Sequence, residues 1–125
     1  TLINSLKIFN EILKNVSPNK KKMFELADTG YITATDLADY LVKNHSMSFR
    51  KAYQTTAEIV NFAEKKNKKL KDLKIEELKK IEPKLTIEVL KVFDLKNSIN
   101  SKKSYGGTSF ENIKRMIMKY KKNKW

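Results

Sequence analysis

Few side chains in this sequence could take part in acid–base or metal chemistry. His45 is the only histidine, and general acid–base catalysis would require a carboxylate beside it. Its position at the end of a predicted helix favours a simpler role, because a histidine there stabilises the helix dipole. Asp36 and Asp39 lie one turn apart and could act as a pair or bind a cation. Asp36, however, falls in a first helical turn, where a carboxylate stabilises free backbone N–H groups, so we interpret both residues as structural.

The sequence contains no metal-ligand cluster, no nucleophile–base arrangement and no dinucleotide-binding fingerprint. It has no cysteine, which excludes disulfides and thiolate chemistry. We therefore expect no catalytic, substrate-binding or metal-binding residue in this chain, and no cofactor.

A glycine pair, Gly106 and Gly107, precedes Thr108 and Ser109 at the start of a predicted helix. Glycines let a ligand approach the backbone, and free N–H groups at a helix start attract anions. The segment lacks the preceding strand and the fixed spacing of a phosphate-binding loop. We favour a turn with a helix cap, in which one glycine adopts a positive φ. Whether this turn or Lys102 binds an anion stays open.

The net charge of +13 raises the possibility of a nucleic-acid partner. Of the 27 basic residues, only Arg50 and Arg115 are arginine, whereas nucleic-acid sites usually rely on arginine for bidentate contacts. Aromatic side chains that could stack on bases fall mostly on helix faces that we expect to be buried: Tyr40, Phe49, Tyr53 and Phe62. We attribute the charge to A- and T-rich codon use and a solvated lysine surface. A basic helical module that binds nucleic acid is the alternative.

Length and composition are those of one globular domain. The 125 residues are 40% hydrophobic and 33% charged, enough to bury a core and too apolar for a disordered chain. Uninterrupted apolar runs are far shorter than a membrane span requires, and the first residues have no signal-peptide layout. We expect a soluble, cytoplasmic protein with no membrane partner.

Apolar residues recur every three or four positions and predict an all-α fold. Helices are predicted at about 1–16, 18–28, 33–44, 49–66 and 75–81, with a short helix after Thr86 and a last helix after a capping box at 108–111. Residues 65–74, with six lysines, predict a solvated loop with a helix end, and residues 119–125 predict a fraying basic tail. The side chains predicted to face inward outside the first helix include Met23, Phe24 and Ala27; Leu37, Ala38, Leu41 and Val42; Phe49, Tyr53, Thr56, Val60 and Ala63; and Phe110, Ile113, Ile117 and Tyr120.

The first helix is apolar on two faces. One stripe contains Leu2, Leu6, Phe9, Leu13 and Val16, at the spacing of a helix-bundle seam. Ile8 and Ile12 form a second apolar face, and no capping box precedes the helix. A helix that is apolar on two sides has to be covered on two sides. We therefore expect it to be the end of a longer bundle helix.

Four segments, in order, resemble the argininosuccinate lyase family. Residues 30–42, GYITATDLADYLV, contain that family's ATDLADYLV segment; 48–52 resemble its PFREAH segment; 70–78 are similar to its LEDLSLEEL stretch; and 104–108 match its SYGGT turn. Together they cover about residues 30–117. The motif residues, which we expect to be structural, are Thr35, Asp36, Leu37, Ala38, Asp39, Tyr40, Phe49, Arg50, Gly106, Gly107 and Thr108.

This resemblance implies a parent enzyme of the fumarase/aspartase superfamily, a cytoplasmic homotetramer of arginine biosynthesis that splits argininosuccinate into arginine and fumarate by β-elimination. The family's SxxMPxKxN loop, its HT-type histidine segment and its arginine–asparagine segment are absent from this sequence. The chain alone is therefore expected to be inactive, with the remaining domains and subunits of the parent as its partners. Two positions depart from the family pattern: Lys102, where arginine is frequent, and Tyr53, at the histidine of PFREAH.

The resemblance also implies a domain division. Residues 1–16 would be the end of a long helix of the parent's central helical domain. Residues 17–125 would be its small, multi-helix C-terminal domain, including the basic tail at about 119–125.

Overall fold

The computed structural model describes residues 1–122, and every regular element in that range is helical. The α-helices are α1 (Leu2–Asn15), α2 (Lys20–Ala27), α3 (Ala34–His45), α4 (Phe49–Lys65), α5 (Ile75–Lys79), α6 (Leu95–Ser101) and α7 (Phe110–Lys122). Two 3₁₀ segments, Leu70–Asp72 and Ile87–Phe93, connect them. The predicted all-α fold is confirmed. Within residues 1–122 no helix is both long and apolar enough to cross a membrane.

The core lies where α3 packs against α4 and against the 3₁₀ segment Ile87–Phe93. Leu37 and Leu41 lie one turn apart on α3 and are completely buried, as the sequence pattern predicts. Burying each leucine side chain contributes on the order of 2 kcal/mol. The buried apolar residues of this core are Leu37, Leu41, Ala52, Ile59, Ala63, Leu70, Leu73, Leu78, Leu85, Val89 and Phe93.

The predicted inward face of α4 is only partly right. Thr56 and Ala63 are buried, but Phe49 and Tyr53 remain 67% and 63% exposed. Their rings stack on each other at the surface, with centroids 6.5 Å apart. The face that meets α3 carries smaller side chains, which allow two helices to approach closely; its buried residues are Ala52, Thr55, Thr56, Ile59 and Ala63.

Three helices leave their apolar faces uncovered. No residue of α1 is buried, and both of its predicted apolar faces are exposed. In α2, Met23, Phe24 and Ala27 are exposed. In α7, Phe110 and Tyr120 are exposed as well. The prediction that the α2 and α7 stripes are buried is therefore wrong within this chain, because helical periodicity shows which face needs cover but not what supplies it.

The helix starts are set by local hydrogen bonds. Ser48 caps α4 as predicted, since its hydroxyl accepts from the backbone N–H of Lys51 at 3.3 Å. The start of α2 is not at Ser17 and Pro18. Instead, the Asn19 side chain accepts from the backbone N–H of Lys22 at 3.0 Å, and the helix begins at Lys20. A side-chain acceptor at the N-cap satisfies a backbone donor that a helix leaves free.

The prediction for the lysine-rich segment at 65–74 is partly right, since α4 ends at Lys65, but Leu70–Asp72 forms a 3₁₀ turn that the prediction lacks. Leu70 and Leu73 insert into the core, while the lysine head groups stay at the surface. The structure also differs from the fraying tail predicted from residue 119 onwards, because α7 continues as a helix to Lys122. The rest of that tail, 123–125, lies outside the described residues.

Candidate functional site

Asp36, in the ATDLADYLV segment, connects α3 to the residues just before the glycine turn. Its carboxylate accepts hydrogen bonds from the Ser98 hydroxyl and the Lys102 ammonium group. The Asp36 side chain is only 12% exposed, so water competes less with this ion pair than with a surface pair. From the sequence we predict only that Asp36 stabilises the first turn of a helix. Its contacts with Ser98 and Lys102, more than 60 positions away, are not predicted, because nothing in the local sequence indicates them.

The other candidate acid–base residues do not join this network. Asp39 lines the same side of α3 but is exposed. His45 ends α3 and its ring packs against Tyr40, with centroids 5.6 Å apart. Across the part of the chain that the structure describes, no group of three or more histidine, cysteine or carboxylate side chains could hold a metal ion. The contacts of Asp36 and His45 favour a structural role for these two residues.

The two glycines of the turn have different physical roles. The backbone N–H of Gly107 donates to the Ser104 carbonyl at 2.8 Å and closes a four-residue turn. Gly106 has a φ of +79°, which confirms the expected positive φ. Gly107 has no such φ, but a Cβ there would lie 2.2 Å from the backbone oxygen of Lys102. Glycine is therefore favoured at position 106 by the positive φ, and at position 107 by the lack of room for a side chain.

Asn112 attaches α7 to this turn. Its side-chain amide donates to the Ser104 carbonyl at 2.7 Å, and the residue is 7% exposed. The hydroxyl of Ser109 accepts from the backbone N–H of Asn112 at 3.3 Å, so Ser109 is the capping residue. The capping box predicted at 108–111 is wrong, because Glu111 pairs with Arg115 at 3.2 Å instead.

These contacts bear on the anion site considered for the turn. The N–H groups of Gly107 and Ser109 donate to backbone carbonyls at 2.8 and 3.2 Å. The N–H of Phe110 points to the Asn100 side chain at 3.4 Å, and Lys102 is engaged by Asp36. An anion bound through these groups would have to displace bonds within the chain, which disfavours a site built on them.

An open cleft of about 700 Å³ is lined by residues of α3, of α6 and of the 3₁₀ segment Ile87–Phe93. Its wall carries both signs of charge, since Asp36 and Asp39 of α3 line it together with Lys91 and Lys103. Lys91 is itself paired with Glu88 at 2.8 Å. The cleft therefore presents no concentration of one charge that would select a charged substrate.

Part of the lysine-rich segment is neutralised by Glu77. Its carboxylate accepts from Lys66 at 2.8 Å and Lys68 at 3.0 Å, and from the backbone N–H of Lys74 at 2.9 Å. These hydrogen bonds, with that from Lys66 the strongest, lower the pKa of Glu77 from its usual 4.5 to about 2.

Asp28, just after α2, neutralises another part of the segment. It pairs with Lys69 and with Lys71, the latter at 2.7 Å. Hydrogen bonds from these two lysines lower the pKa of the Asp28 carboxyl, and Asp28 in turn raises the pKa of Lys71. Four of the six lysines in 65–74 are thus ion-paired within the chain, which weakens the case for a phosphate-binding surface.

Comparison with known proteins gives one consistent result. A family model described as the argininosuccinate lyase C-terminal region matches residues 31–100. The argininosuccinate lyase of Pelagibacter ubique is 77% identical over 121 residues, which are 97% of this chain and 26% of that protein. The argininosuccinate lyases of Nitratiruptor and Ehrlichia chaffeensis are 44% and 43% identical, over 90% of this chain and 24% of each protein. The chain spans about a quarter of the length of these relatives.

Proposed function

The chain belongs to the argininosuccinate lyase family, whose C-terminal region it matches, and from this premise we propose that it is the C-terminal part of an argininosuccinate lyase. The whole enzyme splits argininosuccinate into arginine and fumarate by β-elimination, in the cytoplasm, as a homotetramer that serves arginine biosynthesis. The observation that carries this proposal is the 77% identity to the Pelagibacter ubique lyase over almost the entire chain.

Within that enzyme the chain has a structural role and is inactive alone. Support comes from the region around Asp36 and the glycine turn, where the Asp36 carboxylate and the Ser104 carbonyl accept hydrogen bonds from within the chain. Further support comes from α1, which is apolar on two faces and exposed on both. Such a helix is stable in water only when other helices cover it.

We assign residues 1–16 to the end of a central-domain helix and residues 17–125 to the C-terminal domain. This division is supported by the position of the core, whose buried apolar residues all lie between Leu37 and Phe93. Helix α1 contributes none of them.

A nucleic-acid function is not supported. The relatives named above are lyases, and the most lysine-rich segment holds much of its charge in internal ion pairs with Asp28 and Glu77. The remaining charge is spread over a surface that contains only two arginines.

A domain graft tests the proposal. The matched 121 residues of the Pelagibacter ubique lyase are replaced by this chain, giving an enzyme that we call the grafted lyase. We expect the grafted lyase to release fumarate from argininosuccinate. The isolated chain, and the same relative lacking the matched region, are the controls and are expected to release none. Fumarate release by the isolated chain, or a folded grafted lyase without activity, would refute the proposal.

A further inference from the structure

Tyr105 is displayed on the surface by a rigid turn. Its side chain is 97% exposed. The backbone that carries it is held in place, because the carbonyl of the preceding residue, Ser104, accepts hydrogen bonds from Gly107 at 2.8 Å and from Asn112 at 2.7 Å. Exposing an aromatic ring to water is unfavourable. A ring carried on ordered backbone loses little conformational entropy on binding, so the turn is suited to presenting Tyr105 to a partner.

Tyr105 lies at a shallow cleft of about 190 Å³ that Met116 and Tyr120 of α7 also line, and both of these side chains are exposed. Arg115 and Lys119 line the same cleft. We call these five residues the tyrosine surface. Tyrosine and arginine are the residue types enriched in the energetically dominant positions of protein interfaces, and an apolar centre with a charged rim is the usual arrangement there.

The charge of α7 limits the choice of partner. Between Phe110 and Lys122 the helix carries five basic side chains and one acidic side chain, Glu111. Two copies of this surface placed face to face would bring like charges together, which opposes association. A partner surface with acidic groups around an apolar centre would complement both the basic side chains and the apolar centre of the tyrosine surface.

We propose that the tyrosine surface docks onto an acidic, apolar-centred surface elsewhere in the same lyase, an inference that rests on the proposed function. The chain spans about a quarter of the length of its relatives, so most of such an enzyme is available to supply that surface. Docking covers Tyr105, Met116 and Tyr120 together. Of the exposed apolar stripe of α7, this docking covers Tyr120.

Hydroxyl-radical footprinting with mass spectrometry tests this directly, on the isolated chain and on the grafted lyase. We expect oxidation of Tyr105 and Tyr120 to fall at least about fivefold in the grafted lyase, because an interface core excludes water. Tyr53 on α4, which is 63% exposed, is the matched control and is expected to change little. Unchanged oxidation of Tyr105, or equal protection of Tyr53, would overturn the proposal. Protection in the isolated chain that grows with its concentration would also overturn it, because the occupant would then be a second copy.

A variant pair gives an independent reading in the grafted lyase. We expect Tyr105→Ala to weaken assembly on dilution by about tenfold or more, as loss of a central aromatic residue does at other interfaces, and Tyr53→Ala to have a much smaller effect. Raising the salt concentration should weaken assembly further, because the rim charges are then screened. Equal effects of the two variants would contradict the inference.

Failure of this inference can be told apart from failure of the proposed function. An unmodified grafted lyase that folds without activity counts against the proposed function, whereas an active one with an unprotected Tyr105 counts only against the docking surface. If the grafted lyase does not assemble, the isolated chain is mixed with the separately produced remainder of the Pelagibacter ubique lyase. The same protection of Tyr105 is expected in that mixture, and its absence contradicts the inference.

Discussion

Asp36 on α3 and Lys102 after α6 form an ion pair across 66 positions of the sequence. The pair links the ATDLADYLV helix to the residues just before the SYGGT turn, the two motifs by which both ends resemble the same enzyme family. Ser98 donates to the same carboxylate, so Asp36 joins α6 and the residue that follows it to α3. We expect this contact to help orient the glycine turn and, through it, α7.

Removing the charge of Asp36 should therefore destabilise the fold. We expect Asp36→Asn to lower the free energy of unfolding by about 1–3 kcal/mol, because Lys102 loses its shielded partner. Asp39→Asn, an exposed residue of the same helix, is the control and should change stability by less than about 0.5 kcal/mol. Urea unfolding followed by circular dichroism measures both, and equal effects would contradict the role assigned to Asp36.

The glycines should differ in their tolerance of a methyl group. Gly107→Ala is expected to cost on the order of 3 kcal/mol, because its Cβ collides with the backbone oxygen of Lys102. Gly106→Ala should cost only about 1 kcal/mol, since the space is open and only the positive φ is unfavourable. Amide hydrogen exchange at Ser109 and Ile113 measures the local loss of stability, and we expect it to speed up more in the Gly107 variant than in the Gly106 variant. A larger effect at Gly106 would show that the turn is organised differently.

Asn112 should be required to hold α7 against the turn. We expect Asn112→Ala to speed amide exchange in the first two turns of α7 by about tenfold, because loss of one buried hydrogen bond costs about 1–2 kcal/mol. Asn61→Ala, at an exposed position of α4, is the matched control and should leave α7 unaffected. Unchanged exchange in α7 of the Asn112 variant would mean that its amide does not anchor the helix.

The pKa of Glu77 predicts an acid-sensitive contribution to stability. Because this pKa is lowered from 4.5 to about 2, the native state favours the ionised carboxylate. The stabilisation is complete above pH 4.5 and is lost as the pH falls towards 2. Wild-type chain should therefore be more stable than Glu77→Gln at neutral pH, and the difference should shrink over that window. A difference in unfolding free energy that does not depend on pH would exclude this ion-pair account.

The features that the sequence predicts correctly depend on neighbouring residues. Leu37 and Leu41 are one turn apart, and their burial follows from helical periodicity. The Ser48 cap and the positive φ of Gly106 also follow from local chemistry. The motifs that resemble the lyase family are equally readable from the sequence, and the comparisons confirm the family.

The features that the sequence does not predict depend on distant contacts. Phe49 and Tyr53 have the right spacing for an inward stripe, but α3 packs against smaller side chains and leaves both rings exposed. Nothing local indicates that Asp36 meets Lys102, or that Asn112 reaches the carbonyl of Ser104. These contacts exist only after the chain has folded, so residue spacing alone cannot reveal them.

The most direct test of the central claim is fumarate release from argininosuccinate by the grafted lyase. At 77% identity, we expect its kcat/KM to lie within about tenfold of that of the unmodified Pelagibacter ubique enzyme, a loss of no more than about 1.4 kcal/mol in transition-state stabilisation. The isolated chain should release no fumarate. A grafted lyase that folds but does not turn over, or turnover by the chain alone, would contradict the account.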